Sequence, residues 1–263
     1  PVLLPSTVVL RGAMDARGDD TVRMHAVLAP RTGPPEVLEV MERRMPEPGP
    51  GQVRIRVAAA SVNPIDVSAR SGRHAAAGLL TRTTDIPLGW DVAGRVDAVG
   101  FGIRRLTVGQ PVVGLRDVLT AGGTHAEHVV LDETAVAPAP RTVPLEVAAT
   151  LPLVGLTGDR SLALAGVRSG DLLLVTGAAG GVGRVVVQLA TLRGVRVVAA
   201  ARPDDEDELR RLGADHVVTS TGSLTDRVRT YAAGGVDAVV DAAVLGVDAH
   251  GALRPGGRFV ALV

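Results

Sequence analysis

The sequence predicts an α/β chain in two parts: a partly open barrel of short β-strands, then a doubly wound parallel sheet. Three observations predict it. Short strands punctuated by glycine fill the first half. Near Leu145 the texture changes to regular alternation of β and α segments, which implies a parallel sheet with helices on both faces. The third is the stretch over residues 171–190, a short apolar run, a crowd of glycines and an apolar-periodic segment in immediate succession.

Length and composition set the limits. A chain of 263 residues accommodates two domains of ordinary size. Its 28 cationic side chains, all arginine, balance 28 carboxylates, so charge suggests neither a nucleic-acid nor a membrane-surface partner. No cysteine is present, which excludes disulfides and thiolate metal sites. Aromatic residues make up only 2%, leaving Ala, Val, Leu and Gly to fill the core. No apolar run reaches the ~18–20 residues of a membrane span.

In chain order, residues 1–23 hold an apolar patch broken by Pro5, Ser6 and Thr7 and followed by charges. Without a basic residue ahead of the patch this makes a poor signal peptide, so a disordered or non-native leader, a true start at Met24 and a cytoplasmic protein are expected. Strands follow over residues 24–29, 36–42 and 52–59, with the Pro- and Gly-rich segment 46–51 as a turn. Gln52-Val-Arg-Ile-Arg-Val57 alternates strictly, giving one buried and one wet face. Further strands are expected over 91–99, 111–115 and 125–130, and helices over 144–151 and 158–166. The second half then reads strand 172–175, helix, strand 195–201, helix 204–212, strand 216–219, helix 224–233, strand 236–241 and strand 257–262. The boundary is placed between residues 146 and 147.

The stretch 171–190 carries the functional signal. Leu172 to Val175 is the run of a fully buried strand; Gly177, Gly180, Gly181 and Gly183 form a G-x-x-G-x-x-G turn; Val186, Leu189 and Ala190 recur at helical spacing. A phosphate needs close backbone approach and free N–H groups, which glycine and a helix N-terminus supply together. The motif is weak alone. A second strand roughly 20 residues on gives it the context of a dinucleotide-binding βαβ unit. The expected cofactor-binding residues are Gly177, Ala178, Gly180, Gly181, Val182 and Gly183. That second strand ends Ala199-Ala-Ala-Arg202, with no acidic residue to accept from a ribose hydroxyl, so NADPH is expected, with Arg202 as the clamp on its 2′-phosphate. Asp204 and Asp205 stand close enough in sequence to neutralise it.

Gly33-Pro-Pro-Glu-Val-Leu38, Ala60-Ser-Val-Asn-Pro-Ile-Asp66, Pro87-Leu-Gly-Trp-Asp-Val-Ala-Gly94, Leu153-Val-Gly-Leu-Thr157, the glycine turn, Leu212-Gly-Ala-Asp215 and Leu253-Arg-Pro-Gly-Gly-Arg258 occur in this order. Together they resemble the medium-chain dehydrogenase/reductase superfamily, specifically its zinc-independent quinone oxidoreductase (zeta-crystallin-like) branch. The resemblance implies a GroES-like catalytic domain over 24–146 and a Rossmann NADPH-binding domain over 147–263, lacking the family's C-terminal portion. It implies hydride transfer to a small-molecule substrate, and a homodimer in the full-length form. It also implies Asn63 and Thr157 as catalytic residues beside the nicotinamide; read from the residues alone, they are equally a turn Asn before Pro64 and a helix-capping Thr.

The zinc-binding members of that superfamily place Cys and Gly-His-Glu where this chain has Asn63 and Gly89-Trp-Asp91, so no metal is expected. A quinone or an α,β-unsaturated carbonyl, already electron-poor, fits such a site. Relatives' tyrosines are replaced by Ser68 and His125, which leaves water as the expected proton source, with His74 and His125 as side-chain candidates. Asp66 is expected to cap or orient its loop, and Tyr231 to lie at the surface or in packing. Two alternatives remain: a catalytically weak NADPH-binding sensor or structural protein of the same fold, and a polyketide-synthase-type enoyl reductase.

Overall fold

The computed structural model describes residues 22–80, 82–117, 122–219 and 222–262. All of the expected leader except Val22 and Arg23 lies outside the described residues. The chain divides into two compact units, the first closing at Leu153 and the second opening at Val154.

The first unit contains β1 (Arg23–Arg31), β2 (Glu39–Arg44), β3 (Gln52–Ala59), α1 (Pro64–Arg70), α2 (Arg73–Ala76), β4 (Thr84–Pro87), β5 (Asp91–Val99), β6 (Pro111–Leu115), β7 (His128–Asp132), β8 (Val136–Pro138) and α3 (Leu145–Ala148). Five strands form an antiparallel sheet in the order β7-β3-β5-β6-β8, and three form a second sheet, β2-β1-β4. A bridge between Ala26 and Ala126 links β1 to the segment before β7. The alternation read in β3 is the alternation observed: Val53 and Ile55 are buried with Val92, Val96, Val112 and Leu131, while Arg54 turns outward to pair with Asp97 at 3.0 Å. This is the partly open barrel expected.

The second unit contains α4 (Pro152–Ala165, whose first two residues belong to the first unit), β9 (Leu172–Thr176), α5 (Gly181–Leu192), β10 (Arg196–Ala201), α6 (Glu206–Arg211), β11 (His216–Thr219), α7 (Leu224–Arg229), β12 (Val236–Asp241), α8 (Val247–His250) and β13 (Leu253–Ala261). Its sheet runs β11-β10-β9-β12-β13, with all pairs parallel. Strand β9 sits at the centre and is buried from end to end. The two-residue period sorts the core into two layers. Leu173, Val175, Val197, Ala199 and Val240 pack with Val186, Val187 and Ala190 of α5, while Leu172, Leu174, Val198 and Val239 pack with Leu224 and Val228 of α7.

Several element boundaries depart from the sequence expectation, each for a local reason. Residues 35–37 form a single 3₁₀ turn started by Pro35, so β2 begins later than expected. The helix expected over 144–151 is confined to α3, because Pro152 disfavours helical backbone at Leu151 and then opens α4 earlier than expected. The helix expected over 224–233 ends at Arg229. Strand β7 begins at His128 rather than at His125, whose carbonyl instead accepts from Val27 N–H. Helix α1 was not expected, although Asn63-Pro-Ile-Asp66 is a start signal: an N-cap Asn, Pro at the first helical position and a carboxylate at the third.

Candidate active site

In the first unit, Asn63 stands before proline and is the N-cap of α1, a role the sequence reading did not give it. Two buried carboxylates hold it. Asp66 accepts from the Asn63 backbone N–H (2.8 Å) and, with its other oxygen, from Gly89 N–H (2.7 Å), so it orients the loop as expected. Asp91, fully buried, takes the side chain: the Asn63 amide nitrogen lies 2.8 Å from Asp91 Oδ2 and 2.9 Å from Ser61 Oγ. Ser61 Oγ itself donates to the same Asp91 Oδ2. Leu153 N–H donates to Asp91 Oδ1 at 2.6 Å, and Thr124 Oγ1 donates to the Asp91 carbonyl at 2.5 Å. Burial pushes the Asp91 carboxyl above the usual carboxylate range, against the hydrogen bonds from Ser61, Leu153 and Asn63 and with the help of the nearby Asp66 charge.

The neighbouring glycine has a specific duty. Gly89 adopts φ +90°, and a Cβ there would stand 2.4 Å from Thr124 Oγ1 and 2.5 Å from His125 Cδ2. Trp90 is 8% exposed; its indole N–H has no hydrogen-bond partner among the described residues. His125 Nε2 lies 2.9 Å from the Ser61 carbonyl, which only accepts, so that nitrogen carries the proton. The ring is thereby fixed to the loop that holds Asn63. His74 sits on α2 with its Nδ1 buried and unpartnered among the described residues.

In the second unit the glycine turn leaves the carboxyl end of the central strand, the position where open α/β sheets receive ligands. Gly177 has φ +58°, in the left-handed region. Gly180 caps α5 without any side-chain hydrogen bond, and its N–H donates to the Gly177 carbonyl at 2.9 Å. The first-turn amides of Gly181, Val182 and Gly183 therefore face the helix end without a side-chain cap among the described residues. Ala178 is buried, its N–H bonded to the Ala200 carbonyl at 3.2 Å. A Cβ on Gly183 would meet the Gly177 carbonyl at 2.2 Å, so this glycine lets helix and turn touch.

Arg202 follows β10, with its side chain 82% exposed and Nε 3.4 Å from Asp205. The acidic neighbour foreseen in the sequence is thus present, at a loose distance. Thr157 lies inside α4 rather than at its cap, half-buried, with its carbonyl accepting from Ser161 Oγ at 2.7 Å. Tyr231 stacks on His216 with ring centroids 4.1 Å apart, the packing role expected.

The roles of three residues were not read from the sequence. Ser61 and Asp91 stand inside quoted motifs, yet their pairing spans 30 positions. Arg184 donates to the Ala179 carbonyl at 2.7 Å and pairs with Glu208, bracing the glycine turn from the helix side. Its only sequence signal is its place directly after the last glycine.

A curled antiparallel sheet in one unit and a parallel Rossmann-type sheet with a glycine-lined turn in the other define a two-unit dehydrogenase/reductase. Residues 49–141 match the alcohol dehydrogenase GroES-like domain, and residues 181–262 match a family described as zinc-binding dehydrogenase. A probable quinone oxidoreductase of Schizosaccharomyces pombe is 34% identical over 88% of this chain and 68% of that protein. A spectinabilin polyketide synthase system protein of Streptomyces orinoci is 39% identical over 80% of this chain, which spans only 9% of that protein's length. A mycobacterial protein solved in complex with NADPH is 34% identical, with a TM-score of 0.77 covering 90% of this chain and 72% of the other. The chain belongs to the medium-chain dehydrogenase/reductase superfamily, in its quinone oxidoreductase branch.

Proposed function

We propose that the protein is an NADPH-dependent, zinc-independent reductase of quinones or α,β-unsaturated carbonyls, working in the cytoplasm and dimeric in its full-length form. In this reading residues 24–146 are the catalytic domain and 147–263 the coenzyme domain. The observation that carries it is the N-terminus of α5, capped by Gly180 with no side-chain hydrogen bond to its first turn. These features fit a dinucleotide diphosphate, which the helix end favours electrostatically. Gly177, Ala178, Gly180, Gly181, Val182 and Gly183 shape that cradle. Arg202, exposed and only loosely paired, is free to turn its planar guanidinium to a 2′-phosphate.

When bound, the coenzyme supplies the hydride. Asn63 and Thr157 hydrogen-bond the nicotinamide or the acceptor's oxygen, and water supplies the proton, since His125 is committed to the Ser61 carbonyl. The donor set around Asn63 does not fit zinc. The Trp90 indole has no lone pair to give, no thiolate is present, and both Asp91 oxygens already accept hydrogen bonds. A substrate that needs no Lewis acid follows.

The identity to a polyketide synthase protein favours a second reading, an enoyl reductase acting on a carrier-bound enoyl thioester. The chemistry is shared, and the acceptor distinguishes the two. Mixed with NADPH and followed by nicotinamide absorbance, the protein is expected to consume coenzyme with 9,10-phenanthrenequinone or an alkenal, and to prefer NADPH to NADH. Turnover restricted to an enoyl N-acetylcysteamine thioester selects the second reading. Coenzyme binding without consumption for any acceptor overturns both in favour of a sensor.

A further inference from the structure

We infer that Asp91, acting with Ser61, is the positioning residue that holds the Asn63 amide with one N–H presented as a donor to bound coenzyme or substrate. The inference rests on the role proposed above for Asn63. Asp91 Oδ2 can only accept when ionised, so the atom of the Asn63 side chain facing it is the amide nitrogen. Ser61 Oγ lies within reach of the same nitrogen, at 2.9 Å, and is itself hydrogen-bonded to Asp91 Oδ2. Two acceptors held that close together subtend a narrow angle at the nitrogen, far less than the ~120° between the hydrogens of a planar NH₂ group. One amide hydrogen is therefore shared between them, and the second remains.

The rest of the cluster makes this geometry rigid. The Asn63 backbone is fixed by Asp66 through its N–H, and the next residue is Pro64, so the side chain's own rotation is the main freedom left. Asp91 removes it. The carboxylate is itself immobile, tied at Oδ1 to Leu153 N–H and at its carbonyl to Thr124. Ser61 is fixed in turn through its carbonyl to His125. Such a supporting shell keeps a functional group within the narrow tolerance that transition-state contacts demand.

A double-mutant cycle tests it on the whole protein, reading kcat, NADPH affinity and melting temperature for Asn63→Ala, Asp91→Asn, Ser61→Ala and the pairs with Asn63→Ala. Loss of a donor at Asn63 is expected to lower kcat roughly 10²-fold. Asp91→Asn, isosteric but with its NH₂ facing the Asn63 amide once its oxygen accepts from Leu153 N–H, is expected to lower kcat at least about tenfold with NADPH affinity unchanged, and Ser61→Ala to do so more mildly. The decisive result is non-additivity: Asp91→Asn added to Asn63→Ala lowers kcat no further. Additive losses, or normal kcat in Asp91→Asn and Ser61→Ala while Asn63→Ala is impaired, overturn the positioning role alone. Normal kcat in Asn63→Ala overturns the role of Asn63 and, with it, this inference.

Discussion

Gly180 and Gly183 belong to one motif, yet a methyl group means something different at each. At Gly183 it would strike backbone on two sides, the Gly177 carbonyl at 2.2 Å and Ala178 Cα at 2.7 Å. At Gly180, with an ordinary φ of −76°, the one neighbour is the Gly177 carbonyl at 3.2 Å. Gly183→Ala is accordingly expected to cost roughly 2–3 kcal/mol of stability through overpacking. Gly180→Ala is expected to leave the melting temperature nearly unchanged while weakening NADPH about tenfold, or about 1.4 kcal/mol. Thermal melts paired with fluorescence titration check this; equal destabilisation in both variants counts against the cradle. Asp91 supplies a second expectation at this scale. Its folded-state pKa is raised above 3.8, so its contribution to stability is fully present below the unfolded value and is lost as pH climbs through the raised one. Asp66, the other buried carboxylate facing this cluster, reinforces the effect. Denaturant midpoints of the wild type should therefore fall, relative to Asp91→Asn, as pH rises from about 4 toward neutrality. A difference independent of pH contradicts it. The glycine spacing was legible in the sequence because its meaning is local. The link of Ser61 to Asp91 was not, because strand register rather than any short pattern brings the two together.

Among the elements, the connection from β12 to α8 is the most closely tied. Asp241, fully buried at the end of β12, accepts from Thr176 Oγ1, Leu245 N–H (3.0 Å) and Gly246 N–H (2.8 Å), and Thr176 Oγ1 accepts from Ala243 N–H at 3.0 Å. This hub holds Val244 at φ +56°, an uncommon conformation for a β-branched residue. It also sets the Ala243 backbone against Gly177, where a Cβ would find Ala243 N at 3.2 Å. Removing the carboxylate with Asp241→Ala strands three donors at a cost of about 3 kcal/mol, read by urea denaturation. Hydrogen exchange at residues 243–246 should rise in step, and unchanged exchange would count against the hub. Strands with a marked apolar pattern were the easiest to read: β3, β5 and β12 begin and end where the sequence places them. Short helices were harder. Four-residue α3 and seven-residue α1 have too few turns to show a period, and their signals are confined to their starts, Pro144 before α3 and Asn63-Pro64 at α1.

At the scale of the molecule, two units with separate cores made the fold class legible, since each half carries its own period and its own turn chemistry. The coenzyme, if held by the turn, binds the folded chain alone and adds about 2.7 kcal/mol to its stability at a hundredfold excess over Kd. Exchange protection on adding NADPH is expected at Gly181, Val182 and Gly183, and its absence from that turn would contradict the assignment. Substrate identity was beyond the sequence, because acceptor choice belongs to loop conformation rather than to fold. Every fixed positive charge here is a guanidinium, and no thiol exists anywhere in the chain. Electrophilic alkenes alkylate thiolates first and amine side chains next; neither cysteine nor lysine is present to be attacked, and of the six imidazoles that remain one is tethered at Nε2. A chain so composed offers the acceptors proposed for it few side chains to alkylate.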